Sequence, residues 1–281
     1  MRAEHVSAPV PPDLRPAIAG WTGYRYDGLE PGSHLGLPAP ALTLVISLGA
    51  PTMLAATPDP GQRPEAFAAL IGGLHLRPAV IEYDTELYGM QINLTPAGAR
   101  LLLGMPAGAL APAVVHLEDV VGRAAPELVE QLYEAGDWPQ RFDVLVAALR
   151  RLERRALPET HGAVDAAWRQ LVGDPAMRVA DTAAAVGYSR RHLDARFRVE
   201  YGVSPKQVAR IARFDRARRA LQGTARPSLA TAAALAGYYD QAHMAREWND
   251  LAGCPPSQWL AEEVLPNVQD GAERDEHTSA A

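Results

Sequence analysis

The stretch Gly237-Tyr238-Tyr239-Asp240-Gln241-Ala242-His243-Met244-Ala245-Arg246 is preceded by Ala233 and followed by Gly253-x-x-Pro256. It reads as a short helix, a tight turn at Gly237, and a longer helix whose apolar Met244 and Trp248 recur at four-residue spacing. The pattern also occurs 50 to 51 residues earlier, as Ala183-x3-Gly187-Tyr188, then Leu193, Phe197, Gly202, Pro205 and Val208. The later copy aligns as Ala233-x3-Gly237-Tyr238, Met244, Trp248, Gly253, Pro256 and Trp259, with one residue inserted after its Gly-Tyr pair. A small alanine lets two helices approach closely, and glycine accepts a positive φ that a residue with a Cβ resists. Each copy therefore predicts a helix-turn-helix. A single A-x3-G also occurs in structural bundles, whereas two in register, each followed by G-x-x-P, are far more specific.

Between the copies the spacing predicts a helix over Pro205–Leu221, with Val208, Ile211, Phe214, Ala217 and Leu221 as its apolar stripe and Arg210, Arg213, Arg216, Arg218 and Arg219 on the rest. At 1.5 Å per residue such a helix spans about 25 Å, enough to hold two units roughly one DNA turn apart. The charge follows the same division. The chain of 281 residues has a formal net charge of -6. Residues 178–226 nevertheless carry 11 Arg and Lys206 against Asp181, Asp194, Glu200 and Asp215, net +8. Residues 1–158 are net -5 and residues 227–281 net -7. A basic block between acidic flanks indicates a local polyanion contact.

Upstream the periodicity changes. Leu42, Leu44, Ile46 and Leu48 alternate with Thr43, Val45 and Ser47, which predicts a strand. Val80–Asp84 and Leu87–Leu94 predict two more, separated by Thr85-Glu86 and expected to pair as a hairpin; Met90, Ile92 and Leu94 alternate with Gln91 and Asn93. Thr95-Pro96 predicts a helix start and Gly104 its end. Pro126 and Asp137 predict two further helices, the second over about 138–155, ending in Arg150, Arg151, Arg154 and Arg155 at a solvated C-terminus. The fold class is α+β: a β-rich mixed domain over 1–158, an all-α domain of two helix-turn-helix units over 159–265, and a disordered tail over 266–281. The breaker-rich Leu157–Gly162 marks the boundary.

The two copies, the linking Arg213-x3-Ala217-x3-Leu221, and above all residues 237–246 with Gly253-x-x-Pro256 resemble the double helix-turn-helix DNA-binding domain of the AraC/XylS family, over roughly 163–264. The first half is similar to the small sensor domains attached to that family, through Gly73-Leu74-His75 and Leu94–Ala99. The resemblance implies a transcriptional regulator, activator or repressor, whose recognition helices at about Ser189–Glu200 and Tyr239–Asp250 enter successive major grooves of double-stranded DNA. Arg190 and Arg191, near a helix N-terminus, suit guanine O6 and N7, and Gln241 suits adenine, with His243 and Arg246 on the same face. Ser189, Arg196, Arg198 and Lys206 are placed for phosphates. Asp194 either accepts from cytosine N4 or pairs with Arg190, Arg191 or Arg198 at helical spacing. The sequence departs from the family pattern at Ala195, where Arg is common, and at Ala242, where a polar residue is frequent. The acidic flank of the second unit predicts weaker binding there than in the first.

Trp21, Tyr24, Tyr26, Tyr83 and Tyr88 are the candidates for lining an effector pocket, with core packing the alternative. His34, His75 and His116 lack the H-x-H-and-Glu spacing of a cupin-type metal site and read as ordinary partnered histidines, so no metal or cofactor is expected. Dinucleotide, P-loop and G-x-S-x-G motifs are absent, which argues against an enzyme. The single cysteine, Cys254, excludes an internal disulfide and a cysteine-based zinc finger. Neither a signal core nor an 18-residue apolar run is present, so the expectation is a cytoplasmic protein without a membrane partner. The expected partners are DNA, a small-molecule effector and RNA polymerase, acting on a monomer or homodimer. The alternatives are a ligand-independent DNA-binding or dimerisation protein and an enzyme domain with a DNA-binding appendage.

Overall fold

The computed structural model describes residues 1–153, 162–223 and 225–262. The chain opens with β1 (Arg2–Val6), β2 (Ile18–Asp27), β3 (Gly32–Gly36), β4 (Leu42–Ser47), β5 (Thr52–Ala56), β6 (Glu65–Phe67), β7 (Ala69–Gly72), β8 (Ala79–Tyr83) and β9 (Glu86–Leu94). Then come α1 (Pro96–Leu103), a 3₁₀ turn at Ala107–Ala109, β10 (Val114–His116), α2 (Leu117–Val121), α3 (Ala124–Glu134) and α4 (Trp138–Glu153). The helical half comprises α5 (Gly162–Gly173), α6 (Val179–Ala185), α7 (Arg190–Tyr201), α8 (Pro205–Gln222), α9 (Leu229–Leu235), α10 (Gln241–Ala252) and α11 (Pro256–Glu262). The expected domain boundary at 158/159 and the expected tail over 266–281 lie outside the described residues.

The strands form two antiparallel sheets, one in the order β1-β2-β9-β4-β7-β10 and the other β3-β8-β5-β6. Period-two alternation gives the larger sheet two different faces. Leu42, Leu44 and Ile46 of β4 and Met90, Ile92 and Leu94 of β9 are buried in one core with Leu102 of α1, Leu128 of α3, and Leu145 and Leu149 of α4. The intervening Thr22, Thr43, Val45 and Gln91 point the other way, toward the smaller sheet. An apolar helix-facing side and a half-polar sheet-facing side place the domain's interior cavity between the sheets.

The expected β8–β9 hairpin does not form. β9 hydrogen-bonds β2 and β4 in the larger sheet, while β8 lies between β3 and β5 in the smaller one. Both edges of each strand are already paired, and the short Asp84–Thr85 connection carries the chain across from one sheet to the other, with Leu29 N donating to Thr85 O at 3.0 Å. Thr95 caps α1 as expected, accepting from Gly98 N at 2.9 Å, and Gly104 ends the helix in the left-handed region. Asp137 Oδ1 accepts from Gln140 N at 2.9 Å at the start of α4, whereas α3 begins two residues before Pro126.

The two halves share packed surface. Arg100 of α1 reaches Glu200 of α7 with two parallel bonds, Nε at 2.6 Å and Nη2 at 2.5 Å, and Glu200 is only 7% exposed. The 3₁₀ turn presses against the end of the same helix: a Cβ on Gly108 would stand 2.7 Å from Gly202 N. Leu37, just beyond β3, is buried in the second helix-turn-helix core with Trp248 and Trp259, and Leu35 and Leu76 pack against that core. Among the described residues no helix is long and apolar enough to cross a membrane.

Candidate functional site

The helical half contains two nearly superposable turns. In the first, Tyr188 N donates to Ala183 O at 2.8 Å and Gly187 N to Ala184 O at 3.1 Å; in the second, Tyr238 N donates to Ala233 O at 2.9 Å and Gly237 N to Ala234 O at 3.1 Å. Gly187 has φ +73 and Gly237 φ +83, the left-handed conformation that turns the chain from the first helix of each unit into the second. Ala183 and Ala233 are both 1% exposed at the helix crossing. Leu193 and Phe197 anchor α7, and Met244 and Trp248 anchor α10, at the four-residue spacing that leaves the opposite faces to solvent. Ser204 and Gln207 form a capping box that starts α8, the helix joining the units.

The two exposed faces differ in their electrostatics. On α7, Ser189 is the N-cap and accepts from His192 N at 3.2 Å. Arg190 and Arg191 are exposed, Arg196 is half-buried, Lys206 is exposed at the start of α8, and none of the four enters an ion pair among the described residues. Asp194 pairs with Arg198 at 2.9 Å, so its carboxylate is already engaged within the helix. On α10 the N-cap is a carboxylate: Asp240 Oδ1 accepts from His243 N at 2.6 Å. Gln241 and Arg246 are exposed, while His243 is half-buried, its ring against Tyr238 and its Nε2 3.7 Å from Glu247.

Glu247 gathers the neighbouring cations. Arg210 approaches it at 3.2 Å and Arg213 at 3.1 Å, and Arg210 also bonds Asp250 at 2.9 Å. Of the α8 arginines expected to surround the apolar stripe, Arg218 is instead fully buried, bonded to Asp215 and Gln222, each at 2.7 Å. Tyr239, which the motif contains but which was not expected to act, is 93% exposed directly before the α10 cap.

The cavity between the sheets opens beside the same framework. Tyr24 and Tyr26 line it; Trp21, Tyr83 and Tyr88 do not. Strand alternation explains the split. Trp21 and Tyr88 lie on the helix-facing side, where Trp21 donates to Ala8 O at 2.7 Å and Tyr88 packs edge-on against Trp138. Tyr83 lies over Gly32 in the smaller sheet. The cavity is completed by His34 and His75, by Gln91 and Thr43, and by apolar residues such as Leu54 and Val114. The sequence pattern does not place His34 or His75 at an effector site, and the polar positions of the alternating strands are the available signal for Thr43 and Gln91. Burial pushes both imidazoles down to about 4, so they are neutral near pH 7. Among the described residues no three His, Cys, Asp or Glu side chains come together to hold a metal ion. His116 instead meets Glu65 at 3.0 Å.

The family model described as a helix-turn-helix domain matches residues 182–262, from α6 to the end of α11. No curated protein matches the chain. Among solved structures, ToxT from Vibrio cholerae O395 is similar over 86% of this chain and 96% of its own, at 12% identity and a TM-score of 0.53. ToxT from V. cholerae strain SCE256 with a bound unsaturated fatty acid is similar over 87% of this chain and 96% of its own, at 12% identity and a TM-score of 0.53. A transcriptional regulator with an AraC-type DNA-binding domain from Chromobacterium violaceum is 23% identical over 37% of this chain and 95% of its own, with a TM-score of 0.34. The ToxT likeness extends through both halves and shows that the β-rich domain and the helical domain form one shared fold. With both helix-turn-helix units in register and the domain match covering them, residues 182–262 form a double helix-turn-helix domain of AraC type.

Proposed function

We propose that the chain is a cytoplasmic, sequence-specific transcriptional regulator that acts by binding and not by catalysis. The observation that carries this reading is the pair of matched turns holding α7 and α10 with their polar faces outward, joined by α8. Eighteen residues of α8 span about 27 Å, compatible with one DNA turn between the two helices. In this reading Arg190, Arg191, Gln241 and Arg246 read base edges, with His243 beside them, and Ser189, Arg196 and Lys206 fix the phosphates. Arg198 reaches phosphate, and Asp194 reaches a base, only by leaving their mutual ion pair.

The β-rich half serves as the sensor, and the packing supplies a route from cavity to DNA-binding domain. Around β3, His34 and Gly36 line the cavity while Leu35 and Leu37 project into the second helix-turn-helix core; His75 and Leu76 divide in the same way. A ligand that favours one arrangement of these segments shifts the population of the DNA-binding arrangement, provided its affinity for the two differs. One structural neighbour holds an unsaturated fatty acid, which supports a small-molecule ligand in this domain. The test is selection of bound sequences from a random double-stranded DNA library by the full-length protein at moderate salt. Enrichment of an asymmetric two-part motif of roughly 20 base pairs is expected. Failure to enrich any motif refutes sequence-specific regulation.

A further inference from the structure

The cavity between the sheets holds polar groups that are incompletely paired among the described residues. Tyr24 carries its hydroxyl over Gly89, and it makes no hydrogen bond among the described residues. His34 makes no hydrogen bond among the described residues, and its ring lies near that of Tyr83, with centroids 6.1 Å apart. His75 places Nδ1 2.6 Å from Arg77 O. A carbonyl oxygen only accepts, so Nδ1 carries the proton, and a neutral ring then leaves Nε2 as a bare acceptor. Hydrogen-bonding groups facing a largely apolar cavity favour a ligand that carries matching groups.

Charge narrows the ligand class. Among the described residues no Lys, Arg, Asp or Glu lines this cavity. Burial lowers both imidazoles to about 4, so protonating either one to meet an anion near pH 7 carries a cost. An anion entering here would exchange water for a site with no counter-charge, which is strongly unfavourable. Size narrows it further. The cavity measures about 80 Å³, against about 150 Å³ for a dry cavity that holds benzene. A single ring therefore fits only by extending into the mouth or slightly parting the sheets.

We infer that this cavity takes an uncharged, mainly apolar ligand of no more than about one ring, bearing an O–H or N–H donor for His75, and that it rejects carboxylates. The inference rests on the sensor role proposed above and specifies the ligand for it. The test is calorimetry on the full-length protein with 4-methylphenol, toluene and 4-methylbenzoate, which share a ring and differ in charge and donor. 4-Methylphenol is expected to bind at least tenfold tighter than 4-methylbenzoate and measurably tighter than toluene. In His75→Phe, which keeps a ring of similar shape, the phenol should fall to the level of toluene. Equal or tighter binding of the benzoate, no binding by any of the three, or an undiminished phenol affinity in folded His75→Phe overturns the inference. If His75→Phe does not melt cooperatively, the comparison of three probes on the unaltered protein still decides. DNA selection is read separately: motif enrichment without phenol binding removes the ligand class and leaves the regulator, and the reverse outcome removes the regulator and leaves the site.

Discussion

Replacing Arg100 by Ala should loosen the joint between the sensor half and the first recognition helix, at a cost the geometry sets. The Arg100 guanidinium meets Glu200 through two bonds at 2.6 and 2.5 Å, with the Arg side chain 20% exposed and the Glu side chain 9% exposed. Removing one partner of a buried pair leaves the other charge without compensation, typically costing about 3–5 kcal/mol. Water can enter through the partly open Arg100 side, so the expected loss is about 2–3 kcal/mol. The double variant Arg100→Met/Glu200→Leu removes both charges and should cost no more than about 1 kcal/mol, because paired desolvation is avoided. Urea unfolding of the full-length protein reads the stabilities. Hydrogen exchange should show faster opening around Phe197–Gly202 in Arg100→Ala, with β4 amides unchanged. A loss below about 0.5 kcal/mol for Arg100→Ala, or a double variant as unstable as the single, refutes the assignment of this pair as the joint.

Alanine at Arg191 should weaken binding to a selected DNA site by about 1–3 kcal/mol, the range for one bidentate base contact. Alanine at Gln241 should cost less, and equal losses in a titration at fixed salt would contradict the asymmetry of the two faces. Gly187→Ala should destabilise by about 1–2 kcal/mol because alanine resists φ +73. Gly237→Ala should cost more, since its Cβ would also stand 2.7 Å from Pro175 Cβ and 2.9 Å from Pro175 O; the reverse order in thermal melts refutes this packing. His34 and His75 have folded pKa values lowered to about 4, below the unfolded value, so the unfolded chain binds protons first on acidification. Stability from these rings should be full above about pH 6.5 and fall toward pH 4, by at most ~3 kcal/mol each. In folded His75→Phe the drop in urea midpoint between pH 7.5 and 5 should shrink, and an unchanged drop would show that His75 does not contribute.

The helical half was legible because its information is local. Each turn needs a glycine, a small residue four positions earlier and anchors at helical spacing, and residues 183–205 and 233–256 state all of these twice. The caps Thr95, Ser189, Ser204 and Asp240 act within three residues of themselves. The sheets were less legible because pairing is nonlocal. β8 and β9 look like a hairpin in sequence, yet which edge each finds is decided by β3 and β5 for one and β2 and β4 for the other. The aromatic residues were a partial guide to the cavity, Tyr24 and Tyr26 lining it, for a related reason: Trp21 and Tyr24 differ by an odd number of positions, so one strand sends them to opposite faces. The polar positions were a further marker, since Thr43 and Gln91 alternate with the apolar face and lie on the side that lines the cavity.

Net charge along the sequence also misses what the fold does with its cations. Counting residues 178–226 credits the DNA-binding half with a continuous basic block, but Glu247 and Asp250, from the acidic flank, fold back onto Arg210 and Arg213. Asp215 meanwhile engages Arg218 and Arg219. These pairs hold α8 against α10 and within itself, so the arginines of the linking helix serve the geometry of the two units more than their attraction for phosphate. Arg190, Arg191, Arg196 and Lys206 form no ion pair among the described residues around α7, whereas α10 offers Arg246 behind an acidic cap. On the proposed reading, the first unit supplies most of the attraction for DNA and the second adds base contacts. Because Leu37 docks in the second core while Arg100 holds α7, a movement of the β-rich half would, on that reading, reach both units.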